Sequence, residues 1–300
     1  MFSSCISDFF QLPPVKKGAA PKYCFEAKAW TKAVKRAVVL KQVFRQKNEE
    51  FVDILNEVRT ANLSEASVAK LEEAKHHTLL SEPTRLFAHN ARADAMNRSR
   101  LAELPGASRS FHAEDSGEQP FKDSLAKHCQ VPALIELKIG TPIILLKNLD
   151  VECGLCNGTR GTVVDFETPD NEDGISSLSE MALDELEKNP KVEFVQPDGK
   201  TLTRRIDREE FSIETAGRTV ATRSQLPLKL AWAISIHKSQ GLSIDCLEVD
   251  LSGCFEYGQC YVALSRATSF ENLKILNFQR GKVKAHPKVI SFYQQLYSGP

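Results

Sequence analysis

Residues 230–266 constrain the fold of this chain more than any other part of its sequence. An apolar run at 230–234 leads directly into the polar cluster His237-Lys-Ser-Gln-Gly241. The apolar spacing predicts a helix buried over most of its surface, and the glycine allows a left-handed turn or a close approach to a ligand. The alternating segment 246–251 predicts a short strand, and a helix from about residue 258 then leads to Arg266. This order of elements predicts an α/β fold that handles an anion.

Other polar residues follow predicted strands, at the positions where α/β proteins bind their ligands. Gln11 comes directly after two phenylalanines, Arg45 lies between a predicted strand and a helix, and Asn90 precedes a long helix. Each has a plainer interpretation as a strand end, a surface arginine or a helix cap. The agreement of several independent pieces along the chain favours the functional interpretation.

The charge of the chain is unevenly distributed, although its 300 residues carry 39 basic and 39 acidic side chains. Residues 167–187 contain eight acidic residues and no Lys or Arg, which leaves 39 basic against 31 acidic residues elsewhere. The remainder is therefore basic enough to bind a polyanion. The acidic segment itself predicts a mobile hairpin loop that contains a short helix at 178–186.

Cysteine usage and hydropathy narrow the class of protein further. Eight cysteines include the pair Cys153-x-x-Cys156, and no second pair supplies the remaining ligands of a metal site. Free or buried thiols in a reducing compartment are the better prediction. No apolar run reaches the roughly 18 residues that a membrane span requires, and no signal or transit pattern is visible. The chain enters its first motif within a few residues of Met1, so we expect it to be part of a longer protein.

Alternating strands and helices predict a parallel sheet flanked by helices, interrupted by a group of short strands. The sheet strands are predicted at 37–40, 85–88, 246–251 and 273–278. The helices are predicted at 48–60, 64–74, 91–104 and 286–296, and residues 105–127 are predicted as a loop-rich excursion. The short strands, which predict a small barrel, lie at 134–137, 142–146, 162–166, 192–195, 202–206 and 210–213.

Four motifs make the chain similar to the C-terminal half of the PIF (petite integration frequency) family of superfamily-one DNA helicases, which are related to RecD-like motors. They are Asp8-Phe-Phe-Gln-Leu-Pro-Pro-Val15, Phe44-Arg45-Gln46, Ser235-Ile-His-Lys-Ser-Gln-Gly241 and Tyr261-Val-Ala-Leu-Ser-Arg266. The resemblance covers nearly the whole chain, and the last two motifs together are highly specific. The chain departs from the family at Ser7, where the family has glycine, and it contains neither the Gly-x-x-x-x-Gly-Lys-Ser/Thr loop nor the acidic magnesium motif.

The resemblance implies a RecA-like second motor domain with an inserted small SH3-like β-barrel. Under this division residues 1–15 are a remnant of the first RecA-like domain that carries its last strand, and 16–36 are a linker. The second motor domain then comprises 37–154 and 226–297, and the barrel comprises 155–225 with an acidic loop at 167–190. Because Phe9 and Phe10 belong to a sheet that the chain lacks, we expect them to be disordered or wrongly packed.

The resemblance also implies the site residues. ATP would be bound by Gln11, Arg45, Gln240, Gly241 and Arg266. Of these, Gln11, Arg45 and Arg266 would be catalytic. Single-stranded DNA would be contacted by Asn90, Ser235, His237, Lys238, Gln259, Tyr261 and Ser265. No metal ligand is implied in this chain, since the Mg²⁺ ligands are expected in the upstream half.

The implied protein is an ATP-dependent 5′–3′ DNA helicase of repair, recombination and telomere or genome maintenance. It would act as a monomer on single-stranded, forked or structured DNA, away from membranes, in the nucleus or the mitochondrion. Its upstream RecA-like domain would be the partner of this chain, which is expected to be inactive alone. Two alternatives stay open: a non-catalytic module that binds single-stranded nucleic acid, and an RNA motor of the same superfamily.

Overall fold

A computed structural model describes residues 7–14, 21–40, 42–168, 188–195, 200–215 and 217–298. The chain divides into two compact units, the first comprising residues 1–93 and 234–300 and the second comprising 94–233. The second unit therefore begins well before residue 155, where the predicted insertion starts. In the described part of the chain, no helix is both long and apolar enough to cross a membrane. The predicted short helix at 178–186 and most of the acidic segment lie outside the described residues.

The described elements are numbered here in chain order. The helices are α1 (Trp30–Ala33), α2 (Glu49–Thr60), α3 (Glu65–Glu73), α4 (Asn90–Glu103), α5 (Gln119–His128), α6 (Gln259–Leu264) and α7 (Pro287–Ser298). The strands are β1 (Thr84–Phe87), β2 (Arg109–His112), β3 (Glu114–Gly117), β4 (Leu134–Leu137), β5 (Pro142–Leu145), β6 (Arg160–Glu167), β7 (Asn189–Val195), β8 (Thr201–Arg205), β9 (Glu209–Thr215), β10 (Arg218–Gln225), β11 (Leu228–Leu230), β12 (Ala233–Ser235), β13 (Leu247–Asp250) and β14 (Leu273–Leu276). Single 3₁₀ turns lie at Cys24–Glu26, Ala74–His76, His237–Ser239 and Arg280–Lys282.

The first unit is organised around a four-stranded sheet in the order β12-β1-β13-β14. β1 pairs in parallel with β13, and β13 pairs in parallel with β14. Leu247, Val249, Leu273 and Ile275 are buried, as expected for strands of a parallel sheet with both faces covered. The carboxyl ends of the parallel strands lie along one edge. Asn90 follows the end of β1, and His237 and Lys238 follow the end of β12.

Helix α2 has the boundaries and the buried face that its sequence predicts. Asn48 caps it, because its side-chain oxygen accepts the amide of Phe51 at 3.1 Å. The predicted apolar face is buried; it consists of Phe51, Ile54, Leu55 and Val58. Helix α3 is capped in the same way by Ser64, which accepts the amide of Ser67 at 3.2 Å. These helices confirm that capping residues and helical periodicity are reliable signals in this chain.

The predicted helix in the 230–236 region is wrong, because these residues contribute to the strands β11 and β12 and then to the turn His237–Ser239. All three residues of β12 are buried. A short apolar run has no period that separates a buried strand from a buried helix. The predicted strand at 37–40 is also wrong: Val38 is 71% exposed and Leu40 77%, and no described residue pairs with them as a strand. β-Branched residues favour a strand only where a neighbouring strand can complete it.

The segment 7–14 was expected to carry a strand, and its phenylalanines were expected to be disordered or wrongly packed. Instead the segment forms no strand, and both phenylalanines are packed. The amide of Gln11 donates to the carbonyl of Asp8 at 3.2 Å, which closes a turn around the two phenylalanines. Phe10 stacks on Tyr293 of α7, with ring centroids 4.7 Å apart. Phe9 makes edge contacts with Phe25 and with other rings of the same cluster. The aromatic side chains of α7 therefore supply the apolar surroundings that a missing sheet was expected to provide.

The second unit contains antiparallel sheets of five, three and two strands. Their orders are β11-β5-β6-β7-β8, β3-β10-β9 and β2-β4. One apolar cluster includes Phe111 of β2, Ile143 of β5 and Phe194 of β7. The predicted short strands at 134–213 are present, and the structure adds β2, β3, β10 and α5. The prediction of a loop at 105–127 is therefore wrong. β2 and β3 expose most of their polar side chains, so the hydropathy pattern gives no strand signal there.

Candidate functional site

Two arginines from distant parts of the sequence meet at one serine of the first unit. Arg45 donates through Nε to Ser243 Oγ at 2.9 Å and through Nη1 to the carbonyl of Ser265 at 3.0 Å. Arg266 is 2% exposed and donates through Nη2 to Ser265 Oγ at 2.9 Å and through Nε to the carbonyl of Val262 at 2.8 Å. Neither arginine forms an ion pair with a carboxylate of a described residue. The predicted catalytic pair is thus assembled in one place.

The burial and the mutual repulsion of these two arginines favour the binding of an anion. Burial, together with the positive charge of Arg45, lowers the pKa of Arg266 to about 10. Burial also lowers the pKa of Arg45. Two nearby cations that lack a carboxylate partner repel each other and have lost hydration, so a bound anion would relieve both effects. A phosphate group carries the charge and the acceptor oxygens that guanidinium groups recognise.

Gln46 fixes the geometry of the pair, although the sequence analysis gave it no role. Its Nε2 donates to the carbonyls of Ser265 and Ala267 at 3.2 and 2.7 Å, and its side chain is buried. The segment that carries Arg45 is therefore tied to the end of α6, beside Arg266. Gln46 is the third residue of the Phe-Arg-Gln motif, so its presence in that motif is the signal that could have identified it.

Gln11 and Gln240 also come together, since Gln240 Nε2 donates to Gln11 Oε1 at 3.2 Å. The packing of the Phe10–Gln11 backbone against the start of α6 requires a glycine at 258, where a Cβ atom would lie 2.3 Å from the carbonyl oxygen of Phe10 and 2.6 Å from that of Gln11. Gly241 has a φ of +85°, and a Cβ built there meets no atom within 4 Å. The backbone at Gly241 is therefore open on that side, as the predicted close approach of a ligand requires.

The proposed DNA-facing residues fall into two groups, and the first is accessible. Asn90 and Lys238 are exposed and His237 is half-buried. They follow β1 and β12, whose ends are adjacent because the amide of Ile236 donates to the carbonyl of Phe87 at 2.9 Å. His237 Nε2 lies 3.0 Å from Glu256 Oε2. These side chains therefore lie along one edge of the sheet of the first unit.

The members of the second group are much less accessible, and their contact with DNA stays a prediction. Ser235 is 2% exposed, Ser265 5% and Gln259 0%. Tyr261 is half-buried, and burial together with the negative charge of Asp8 raises its pKa to about 12. Ser265 contacts both arginines, and Gln259 holds the loop that precedes α6. A motif establishes which residue types occur together, but it does not establish which of them face the solvent.

Metal ligands were expected outside this chain. Among the described residues, no group of three His, Cys, Asp or Glu side chains could hold a metal ion. Cys153 is exposed and Cys156 is half-buried. We therefore assign no metal site to the described residues.

The first unit thus combines a largely parallel sheet with two arginines that lack a described carboxylate partner and with exposed polar residues at the ends of β1 and β12, an arrangement typical of the RecA-like class. A family model described as "DNA helicase Pif1, 2B domain" matches residues 120–166. The human ATP-dependent DNA helicase PIF1 is 38% identical over 296 residues, which cover 97% of this chain and 43% of the human protein. The chain belongs to the Pif1 helicase family.

Solved structures support the same family. The Pif1 helicase of Candida albicans is 36% identical, with a TM-score of 0.67 over 97% of this chain and 67% of that one. The Bacteroides Pif1 helicase in complex with ADP-AlF3 and ssDNA is 25% identical, with a TM-score of 0.59 over 97% of this chain and 66% of that one. The RecA-like helicase fold follows from these matches. The chain spans less than half the length of its human relative.

Proposed function

We propose that this chain is the second motor unit of an ATP-driven DNA helicase, in which Arg45 and Arg266 contact the γ-phosphate of ATP. The observation that carries the proposal is the meeting of the half-buried Arg45 and the buried Arg266 at Ser265 without a carboxylate partner among the described residues. The Bacteroides relative with bound ADP-AlF3 supports a nucleotide in this role. An arginine that stabilises a transferring phosphoryl group contributes roughly 10³–10⁵ in rate.

Gln11, Gln240 and Gly241 complete the nucleotide side of the site. The bond between the two glutamines links the segment 7–14 to the turn after β12. A change in the position of one segment is transmitted to the other through this hydrogen bond. Gly241 supplies the open backbone at which a phosphate can approach. Mg²⁺, when bound to ATP, neutralises charge on the phosphates, and its ligands lie in the upstream half of the protein.

Single-stranded DNA crosses the edge formed by Asn90, His237 and Lys238, and relatives with ssDNA and forked dsDNA support this assignment. The less accessible residues behind this edge hold it in position; they are Ser235, Gln259, Tyr261 and Ser265. Arg204, Arg205 and Arg208 provide further positive charge in the second unit. Phosphate contacts of this kind bind without sequence preference and weaken as salt increases.

The finer assignments belong to the same proposal. Residues 1–15 complete the first motor domain, 16–36 link it to the second, and 37–154 with 226–297 form the second. The 2B insertion at 155–225 is an SH3-like barrel with an acidic loop. The whole helicase is a monomer that moves 5′ to 3′ on single-stranded, forked or structured DNA. It serves repair, recombination and telomere maintenance in the nucleus or mitochondrion.

The test is the DNA-stimulated ATPase of a protein in which the upstream half of a Pif1 helicase is joined to this chain. Arg266→Ala and Arg45→Ala should each lower the rate by at least about 10³ while DNA binding persists. Lys75→Ala is the matched control, because it removes an exposed cation elsewhere in the first unit. Equal ATPase rates in the parent and the arginine variants contradict the proposal.

A further inference from the structure

One aromatic ring at the proposed DNA edge has no packing role that explains it. Phe255 lies in the loop between β13 and α6 and is 56% exposed. Its ring lies nearly parallel to the imidazole of His89, with centroids 5.8 Å apart and an interplanar angle of 14°. His89 is itself exposed at the end of β1. One face of the phenyl ring is therefore backed by a second ring, and much of its remaining surface faces solvent.

The loop holds this ring in place. Gln259 Oε1 accepts the amides of Phe255 and Glu256, at 2.9 and 3.2 Å. The amide of Cys254 donates to the carbonyl of Leu251 at 3.1 Å. The Glu256 carboxylate reaches His237 at 3.0 Å. A fixed, exposed ring loses little conformational entropy when a ligand binds to it, which is the condition for a preformed binding surface.

Gly253 permits the approach of His89 to this loop. A Cβ atom at residue 253 would lie 3.0 Å from the Cβ of Ala88 and 3.5 Å from Cδ2 of the His89 ring. A side chain there would have to move the end of β1 or the imidazole. The glycine thus allows the imidazole to approach the loop that carries Phe255 at the end of the sheet.

We propose that the exposed ring of Phe255, backed by His89, stacks on one nucleobase of single-stranded DNA. Cationic and polar groups for the phosphates lie on the same edge, at Asn90 and Lys238, and Glu256 joins the Phe255 loop to His237. Single-strand-binding proteins combine these two features, since aromatic faces stack on bases of any sequence and cations follow the backbone. The inference rests on the proposed function and adds a residue that recognises the base rather than the phosphate.

Gln259 is a positioning residue in this arrangement. It is fully buried, and its side-chain oxygen fixes the amides that orient the Phe255 ring. Gln259→Glu keeps that acceptor oxygen, whereas Gln259→Leu removes it. The first variant should therefore retain more of the affinity for DNA than the second.

The experiment measures the binding of this chain at low salt to a fluorescent oligothymidine and to the same oligonucleotide made of abasic sites. Phe255→Ala and Phe255→Leu should weaken binding to oligothymidine by about 5- to 100-fold, and Phe255→Trp should preserve it. Binding to the abasic strand should be the same in all of these variants, because that strand offers phosphates and no base. Tyr257→Leu is the matched control: it removes an exposed ring from the same loop, and that ring contacts His286.

The outcomes separate this proposal from the one on which it rests. If the wild-type chain binds oligothymidine and Phe255→Leu binds it equally well, the stacking proposal is wrong and the proposed DNA edge stands. An equal loss on both oligonucleotides also overturns stacking, because it indicates a general disturbance of the edge. If the wild-type chain binds neither oligonucleotide, the DNA assignment itself fails. Circular dichroism of each variant verifies that it is folded.

Discussion

Asp8 and Arg59 form an ion pair inside the aromatic cluster of the first unit. Arg59 Nη2 lies 2.8 Å from Asp8 Oδ1, and the guanidinium sits 4.4 Å from the ring centroid of Phe10 and 5.0 Å from that of Tyr293. Burial alone would lower the pKa of Arg59, but the bond to Asp8 outweighs it and raises the pKa. The pair therefore ties the segment 7–14 to α2.

Removing the carboxylate of Asp8 tests the strength of this tie. Asp8→Asn should lower the free energy of unfolding by about 2 kcal/mol, because it leaves a partly buried guanidinium without its charged partner. Urea denaturation measures the change. Glu50→Gln, which breaks the exposed pair with Lys70, is the control and should cost less than about 0.5 kcal/mol. Equal losses in the two variants would show that the aromatic surroundings add nothing.

Asp250 at the end of β13 makes stability depend on pH. Burial by itself raises its pKa, but hydrogen bonds from Asn277, Ser252 and Arg92 lower the pKa to about 2. A depressed carboxyl pKa contributes stability that is present above its unfolded value of about 3.9 and is lost as the pH falls through the folded value. The stability difference between wild type and Asp250→Asn should therefore shrink between about pH 4 and pH 2. Urea titrations that give the same difference at pH 7 and pH 2.5 would contradict this.

At the residue scale the sequence predicted which residues lie together better than it predicted their accessibility. Arg45 and Arg266 lie 221 positions apart in the chain and meet in the structure, as their motifs imply. Phe255 and His89 were missed, because neither a lone aromatic nor a lone histidine in a sequence reveals that it is exposed and stacked. Gln259 was predicted to contact DNA, and its burial follows from the packing of α6, which no local pattern encodes.

Helices with capping residues and several turns of apolar periodicity could be predicted from the sequence. Strands formed by short apolar runs could not. The boundaries of α2 follow from Asn48, Ala61 and the four buried positions between them. The strand β12 consists of three residues, which is too short for a period to appear. β10 was missed because its buried positions include Arg223, whose charge is paired with Asp115 at 2.7 Å. A strand is not detected by its hydropathy pattern when a charged residue of an ion pair occupies one of its buried positions.

The cap of α2 can be tested directly. Asn48→Ala should lower the free energy of unfolding by about 1 kcal/mol, because the amide of Phe51 loses its acceptor at the start of the helix. Thermal or urea denaturation gives the value. Asn48→Ser keeps an acceptor and should recover most of the loss. Failure of serine to recover stability would mean that the asparagine acts by another contact.

At the scale of the whole molecule, the candidate ATP-binding residues all lie in the first of the two compact units. Fold class and family were predictable from motifs, whereas the boundary at residue 94 was not. The reason is that α4 spans this boundary without a break, so no turn residue or change of composition marks it. The family match over 120–166 likewise begins before residue 155.

The purified chain should not hydrolyse ATP by itself. Phosphoryl transfer requires a loop that surrounds the phosphates, a lysine and carboxylate-held Mg²⁺, and these 300 residues contain no Gly-x-x-x-x-Gly-Lys-Ser/Thr sequence. Two arginines provide charge without positioning. A phosphate-release assay should give the same rate with and without single-stranded DNA, equal to the buffer blank. Turnover that is stimulated by DNA and follows the chain through purification would overturn this prediction.

DNA binding by the chain should depend strongly on salt. With about three phosphate contacts, the affinity for oligothymidine should fall by at least about tenfold between 50 and 200 mM salt. Lys238→Ala should reduce the slope of log affinity against log salt by a little less than one, because one counterion fewer is released. Fluorescence anisotropy at several salt concentrations measures the slope. An affinity that is constant over this range would exclude binding through the backbone.

The exposed apolar side chains before α2 have a consequence for the handling of the protein. Val38, Leu40 and Phe44 are 71%, 77% and 81% exposed, they lie within seven residues, and none of these three residues belongs to a strand. Exposed apolar side chains that are clustered in this way associate readily with a second copy of the chain. Concentrated solutions should therefore scatter light increasingly with time, and Leu40→Ser combined with Phe44→Ser should suppress the scattering. The shelf life of the purified chain is thus set by a few side chains outside the candidate catalytic site.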